Sequence, residues 1–168
     1  MLKNVSNMNF IEYIKHLAEK HVDVRHDDGG EVHFLSSEDE KNTAMSDMLC
    51  YPAVIVDKGS GFSFTGEDGA FFKQSEYSIF VLQHVDDTSD YAQISKAFNH
   101  TEKILCEILN KILEDKKKTE FRCLKGFRLE EVDVDYISNS DMCQYGVIAL
   151  VTIDESYKAL NCRKSFHE

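Results

Sequence analysis

Residues 89–115, SDYAQISKAFNHTEKILCEILNKILED, decide the fold. Ile94, Ala97, Phe98, Thr101, Leu105, Ile108 and Ile112 recur at three- and four-residue spacing, the period of one helix face. Ile104 and Leu109 widen that face beyond a narrow seam. Ser89 or Asp90 can cap the N-terminus, and Gln93 stands where it can close a capping box behind Asp90. Lys116, Lys117 and Lys118 follow, opposing the negative end of the helix dipole. Such a helix spans about 40 Å at ~1.5 Å per residue. Its apolar stripe must be covered by a sheet or by another subunit.

The covering surface is sought on either side. Residues 77–85, YSIFVLQHV, and 147–153, VIALVTI, are nearly continuous apolar runs and read as central strands, buried on both faces. Upstream, 53–56 (AVIV) is a β-branched strand with Pro52 at its start, where a missing N–H is tolerated. KGSG (58–61) reads as a turn, Phe62 and Phe64 alternate with Ser63 and Thr65, and GEDG (66–69) reads as a second turn. In 129–137, LEEVDVDYI, Val132, Val134 and Tyr136 point one way and Asp133 and Asp135 the other. A polar loop, SNSDMCQYG (138–146), separates that strand from the last one.

Toward the N-terminus, residues 7–22 read as a helix. Phe10, Ile11, Ile14, Leu17, Ala18 and His21 form its stripe, and Asn7 or Asn9 its cap. DDGG (27–30) is a turn signal between Val22, Val24 and Val32, Phe34, which predicts a hairpin with strands near 22–26 and 31–35. Residues 36–49 read as a loop leading into a short helical turn, and 155–168 as a short helical or disordered tail. Strands arrive in runs joined by short turns, so the expected class is α+β: an antiparallel or mixed sheet with one long amphipathic helix packed on one face, plus an N-terminal helix. The length fits a single domain over 1–168. Within it, 1–50 form a helix and hairpin extension, 51–154 the core sheet and long helix, and 155–168 a tail.

Apolar residues make up 42% of the chain, enough for a packed core. Lys and Arg total 19 against 30 Asp and Glu, a formal charge of −11. That balance argues against a duplex-DNA binder, because affinity for phosphate backbones comes from basic residues that displace counterions. The five cysteines are odd in number and lack CxxC spacing, which points to a reducing compartment and to packing roles. The opening stretch MLKNVSNMNFIEYIKHL has no apolar h-region, so no signal peptide is expected. No run approaches the ~18 apolar residues of a membrane span.

Catalytic constellations are sparse. Glu130, Glu131, Asp133 and Asp135 are the most tempting, since carboxylates on one strand face can hold Mg²⁺ or Mn²⁺. No partner spacing accompanies them, and a solvated strand face is the plainer reading. Of the seven histidines, His16 and His21 are poorly spaced for one metal. His26 and His33 could meet across the predicted hairpin, but zinc needs three or four converging ligands. Cys143 with His84 would make a nucleophile and base only if folding brought them together. The glycine groups 59–61 and 66–69 match no phosphate-binding loop. Phe62, Phe64, Phe71 and Phe72 are either sheet-face packing or an exposed patch for a partner. No cofactor, metal or catalytic residue is assigned.

The order of these segments over roughly 50–154 resembles bacteriophage tail completion, or tail terminator, proteins. The specific part is the close, EEVDVDYISNSDMCQYGVIALVTI: an acidic strand, a polar loop, the aromatic-glycine pair Tyr145-Gly146 and a final apolar strand. YPAVIVD (51–57), residues 77–85 and Asp86-Asp87 opening the long helix also match. The chain departs from the family in its long section before Tyr51 and in Val147, where members often carry Trp. The resemblance implies a structural, non-enzymatic protein of a phage or prophage, in the bacterial cytoplasm or the virion. Copies would form a ring, hexameric in the family, at the head-proximal end of a tail and stop tube growth. Partners would be the chain itself and other tail or neck proteins, with DNA passing unbound and no membrane. An acidic lumen would then repel phosphates, with Glu67 and Asp68 of the GEDG turn, or Asp133 and Asp135, as candidates to face it. The alternatives are a metal-dependent intracellular enzyme using Glu130–Asp135, and a small adaptor binding a protein through its strand edges.

Overall fold

A computed structural model describes residues 8–36, 49–67 and 70–156. Helix α1 spans Phe10–Lys20. Asn9 caps it by accepting from the Glu12 amide (2.8 Å), while the Glu12 carboxylate accepts from the Asn9 amide (3.0 Å). This capping box satisfies two of the amides a helix start leaves unpaired. The second helix, α2, spans Tyr91–Lys116. Its cap is Asp90, whose Oδ1 takes the amides of Ala92 and Gln93. Gln93 donates to the other oxygen of the Asp90 carboxylate (2.9 Å) instead of reaching the cap backbone.

Five strands form one mixed sheet: β1 Val32–Ser36, β2 Leu49–Glu67, β3 Ala70–His84, β4 Asp133–Asn139 and β5 Gln144–Ser156. Their spatial order is β1-β2-β3-β5-β4, with β3 in the centre. All pairs are antiparallel except β1 with β2. The expected α+β architecture, with a long helix on one sheet face and an N-terminal helix beside it, is the observed one.

Register explains the burial. Val54, Val81 and Val147 line up across β2, β3 and β5, as do Val56, Ile79 and Ala149. These residues meet Phe10, Tyr13, Ile14 and Leu17 of α1 and Ile104, Leu105, Ile108 and Ile112 of α2 in one cluster. The helix stripe is covered by sheet, and not by another subunit. Thr101 is buried in the stripe without penalty because its hydroxyl donates to the Ala97 carbonyl at 3.0 Å. Gly146 sits where a Cβ would lie 2.0 Å from the Val81 carbonyl oxygen, so the β3–β5 approach requires glycine there.

Four local expectations fail. Residues 22–24 are a turn, so no hairpin precedes β1. Instead, β1 joins β2 in parallel, because Phe34 and Leu35 gain more burial beside Val54 and Ile55 than in an isolated hairpin. KGSG is not a turn: β2 continues through it with a register shift between Lys58 and Phe62, a bulge. Pro52 does not open the strand but lies in the irregular stretch between the Val32↔Leu49 and Phe34↔Val54 pairs. The central strands are not evenly buried on both sides. Ile55, Phe80 and Ile148 on the face away from the helices are only half-buried, and Leu150 is exposed. The expectations for 37–48 and for 157–168 lie outside the described residues.

Candidate functional site

The predicted acidic strand is divided between two elements. Glu130 and Glu131 belong to a 3₁₀ turn, Leu129–Glu131, and Glu131 pairs with Arg128. Asp133 and Asp135 lie on the edge strand β4, exposed, on the sheet face turned away from the helices. Opposite them on β5 stand Leu150 and Ile148, which offer no ligand atom. Val134 and Tyr136 take the helix side, and the Tyr136 hydroxyl donates to Glu102 of α2 (2.8 Å). That bond pushes the Tyr136 phenol above its ordinary range. Glu67 ends β2, and Asp68 lies outside the described residues.

His26 and His33 do meet, in a way that suits no metal. His26 Nδ1 accepts the His33 amide (3.2 Å) and its Nε2 donates to Asp28 (2.9 Å). His33 Nδ1 donates to the Pro52 carbonyl (2.8 Å). Both rings are buried and serve as backbone partners that hold the 26–33 loop to β2. Lys15 also reaches this loop, and its ammonium holds the Asp28 carboxyl below the usual range. Strand pairing brings Cys143 near His84, since the Val85 amide donates to the Cys143 carbonyl. Their side chains go elsewhere. The thiol turns to the Ser140 carbonyl (3.8 Å), and His84 Nε2 lies 3.5 Å from Asp86.

Among the described residues, one set of metal-capable side chains converges: His21, Asp23 and Glu107, with ligand atoms within 4.8 Å of one another. Nothing in the local spacing announces it, because Glu107 lies 86 residues from His21. Its bonding is that of an ion-pair staple. The Asp23 amide donates to His21 Nδ1 (3.2 Å), so the proton of the neutral ring sits on Nε2, which donates to Glu107 (2.9 Å). Lys103 adds the cation, 3.3 Å from Asp23 and 3.8 Å from Glu107, and His100 lies 3.8 Å from Asp23. The Lys103 bond holds the Asp23 carboxyl below its usual range, and Asp23 raises the lysine in return. The position a divalent ion would neutralise is already taken by an ammonium.

No protein-family model and no curated protein matches this chain.

Two features remain. The first is a cleft of about 520 Å³ between the C-terminal end of β3 and the first turns of α2. Pro52, Val85 and Ala97 supply its apolar lining, and His84, Lys96 and His100 its basic groups. The second is the hairpin of β2 and β3. Beyond Val56, the partner of the last β1 residue, β2 has no neighbour on its outer edge among the described residues. This arm exposes Phe62, Phe64 and Phe72. The outer edge of β4 is likewise unpaired among the described residues. No helix of the described chain is long and apolar enough to cross a membrane.

Proposed function

We propose that this chain is a structural phage or prophage tail-assembly protein of the tail terminator or completion kind, acting through subunit–subunit contacts in a ring and not by catalysis. The observation that carries the reading is the combination of sheet edges unpaired among the described residues with an arm bearing exposed phenylalanines. Edges and apolar knobs of this sort are costly to leave in water, and they are met by a partner's surface. The partners are other copies of the chain and neighbouring tail or neck proteins. Asp133 and Asp135, on the outermost strand, suit a wall past which DNA slides without sticking, given the net charge of −11. By the same charge argument, Glu67 and Asp68 of the GEDG segment are the second acidic pair proposed for that wall.

Deleting the gene in an inducible lysogen tests this reading. Tails of uncontrolled length, unjoined to heads, are expected by electron microscopy. Normal tail lengths and normal plaque yield would remove the proposal.

The exposed β4 edge, with Val134 and Tyr136 beside it, favours a small protein-binding adaptor as the second reading. It predicts a monomer that protects β4 amides from hydrogen exchange only when a host protein is bound. The metal-dependent enzyme is left with the weakest support, and titration with Mg²⁺, Mn²⁺ and Zn²⁺ without any change in melting temperature would close it.

A further inference from the structure

Strand β4 is the last strand of the sheet, paired with β5 alone among the described residues. It runs seven residues, Asp133–Asn139, in unbroken antiparallel register. Alternate amides and carbonyls along its outer side therefore lack a strand to bond. Natural edges are blunted by lysine, proline, a bulge or a very short strand. β4 has none of these. Its guard is charge: Asp133 and Asp135 stand exposed on the face away from the helices, and neither has an ion-pair partner among the described residues. On the helix face, Val134 and Tyr136 are 48% and 64% exposed. Tyr136 is already held in place, by Glu102 at its hydroxyl and by Phe98, whose ring it meets edge-on with centroids 5.1 Å apart.

We propose that the outer edge of β4 receives an extended segment of another protein, basic and apolar in alternation, as a sixth strand of the sheet. This rests on the reading above that the chain acts through protein contacts, and it names the chemistry of one partner among the tail or neck neighbours. An added strand gains main-chain hydrogen bonds, and its side chains at alternate positions set specificity. Period-two alternation places lysine or arginine across from Asp133 and Asp135 while apolar residues lie against Val134 and Tyr136. A second copy of β4 is the wrong occupant. Antiparallel pairing of two copies gathers four carboxylates on one face of the join, and like charges across a strand pair destabilise it. The same aspartates thus reject self-pairing and admit a strand of opposite charge. The net charge of −11 draws such a segment in from a distance. A partner seated here covers Asp133 and Asp135, which leaves the acidic wall to Glu67 and Asp68 in the copies it occupies.

Three labelled synthetic peptides of about nine residues, enough to span β4, test the docking on the full chain. One alternates lysine and valine. The second is its block isomer, with all the lysines together, which separates strand pairing from plain attraction of cations to an acidic chain. The third carries glutamate in place of lysine. Fluorescence anisotropy reads binding, and amide hydrogen exchange reads where it occurs. The alternating peptide should bind and slow exchange within 133–139, and the other two should bind at least about ten-fold more weakly. Asp133→Asn with Asp135→Asn should weaken the alternating peptide by a similar factor, with circular dichroism checking the fold. The glutamate peptide makes the same charge test on the unaltered chain. No binding of the alternating peptide, equal binding of the block isomer or the glutamate peptide, binding without protection at 133–139, or a folded Asn variant that binds like wild type would each overturn the docking. Any of these together with uncontrolled tails in the deletion strain refutes the docking and keeps the assembly reading. Protection of β4 together with normal tails keeps the docking and refutes the assembly reading.

Discussion

Replacing Tyr13 by Phe removes one oxygen and leaves everything else in place, so the loss of stability reads a single bond. Tyr13 is fully buried, packs edge-on against Phe121 with ring centroids 5.3 Å apart, and donates to Asp115 Oδ2 at 3.1 Å. This is the polar link between α1 and the C-terminal end of α2. Asp115 also takes Lys118 (2.6 Å) and Lys111 (3.1 Å) on its other oxygen. Burial pushes the Asp115 carboxyl up, but the bonds from Lys118, Lys111 and Tyr13 outweigh it and hold the group below its usual range. A buried hydrogen bond to a charged group contributes ~1.5–3 kcal/mol. The lysines still neutralise the carboxylate in the variant, so a loss of about 2 kcal/mol is expected. In urea, with a slope of ~2 kcal/mol per molar, the midpoint should fall by about 1 M with the slope unchanged.

The pH dependence checks the cause. Asp115 is depressed in the folded state, so its contribution is present above its unfolded value near ~3.9 and disappears as pH falls through the folded value. Wild type and Tyr13→Phe should therefore converge in acid. Burial, and then the Asp115 charge, raise the Tyr13 phenol, so its contribution is complete below about pH 10 and declines as pH rises further. The variant should lack that alkaline decline. A midpoint shift under ~0.3 M, or a gap that persists at low pH, would show that the Tyr13–Asp115 bond does not stabilise the fold.

Gly146→Ala should cost more than ~3 kcal/mol or abolish soluble expression, because its Cβ would meet the Val81 carbonyl of the central strand at 2.0 Å. A melting temperature within ~2 °C of wild type would contradict the close β3–β5 approach. Thiol labelling at pH 8, followed by peptide mapping, should modify the exposed Cys106 quickly and leave Cys123 intact, since burial pushes the Cys123 thiol up to about 11. Equal labelling of the two would place the Cys123 region in solvent.

Periodic signals were legible because they are local. The α2 stripe from Ala97 to Ile112, its Asp90 cap and the α1 stripe from Phe10 to Ala18 each follow from residues three or four apart, and the structure bears them out. The two long apolar strands were legible for the same reason, through composition and length. The KGSG stretch misled because glycines mark turns and bulges alike, and only the neighbouring strand decides which forms. The 22–35 hairpin misled because its turn signal was correct while the partner of Val32–Ser36 lies in β2, beyond residue 48. The cleft and the His21–Asp23–Lys103–Glu107 staple join residues tens of positions apart, and no spacing rule reaches that far.

Alone, then, the chain's pattern determined which segments coil, which extend, and that an oily helix face needs a sheet beneath it, since these depend on a few neighbouring side chains. Tertiary contact decided which strand sits beside which, that β2 runs on past β1 as a hairpin arm with β3, and that a basic-edged cleft opens at the other end. Those outcomes are set by competition between distant surfaces for the same apolar partners, and no single segment carries the information to resolve it.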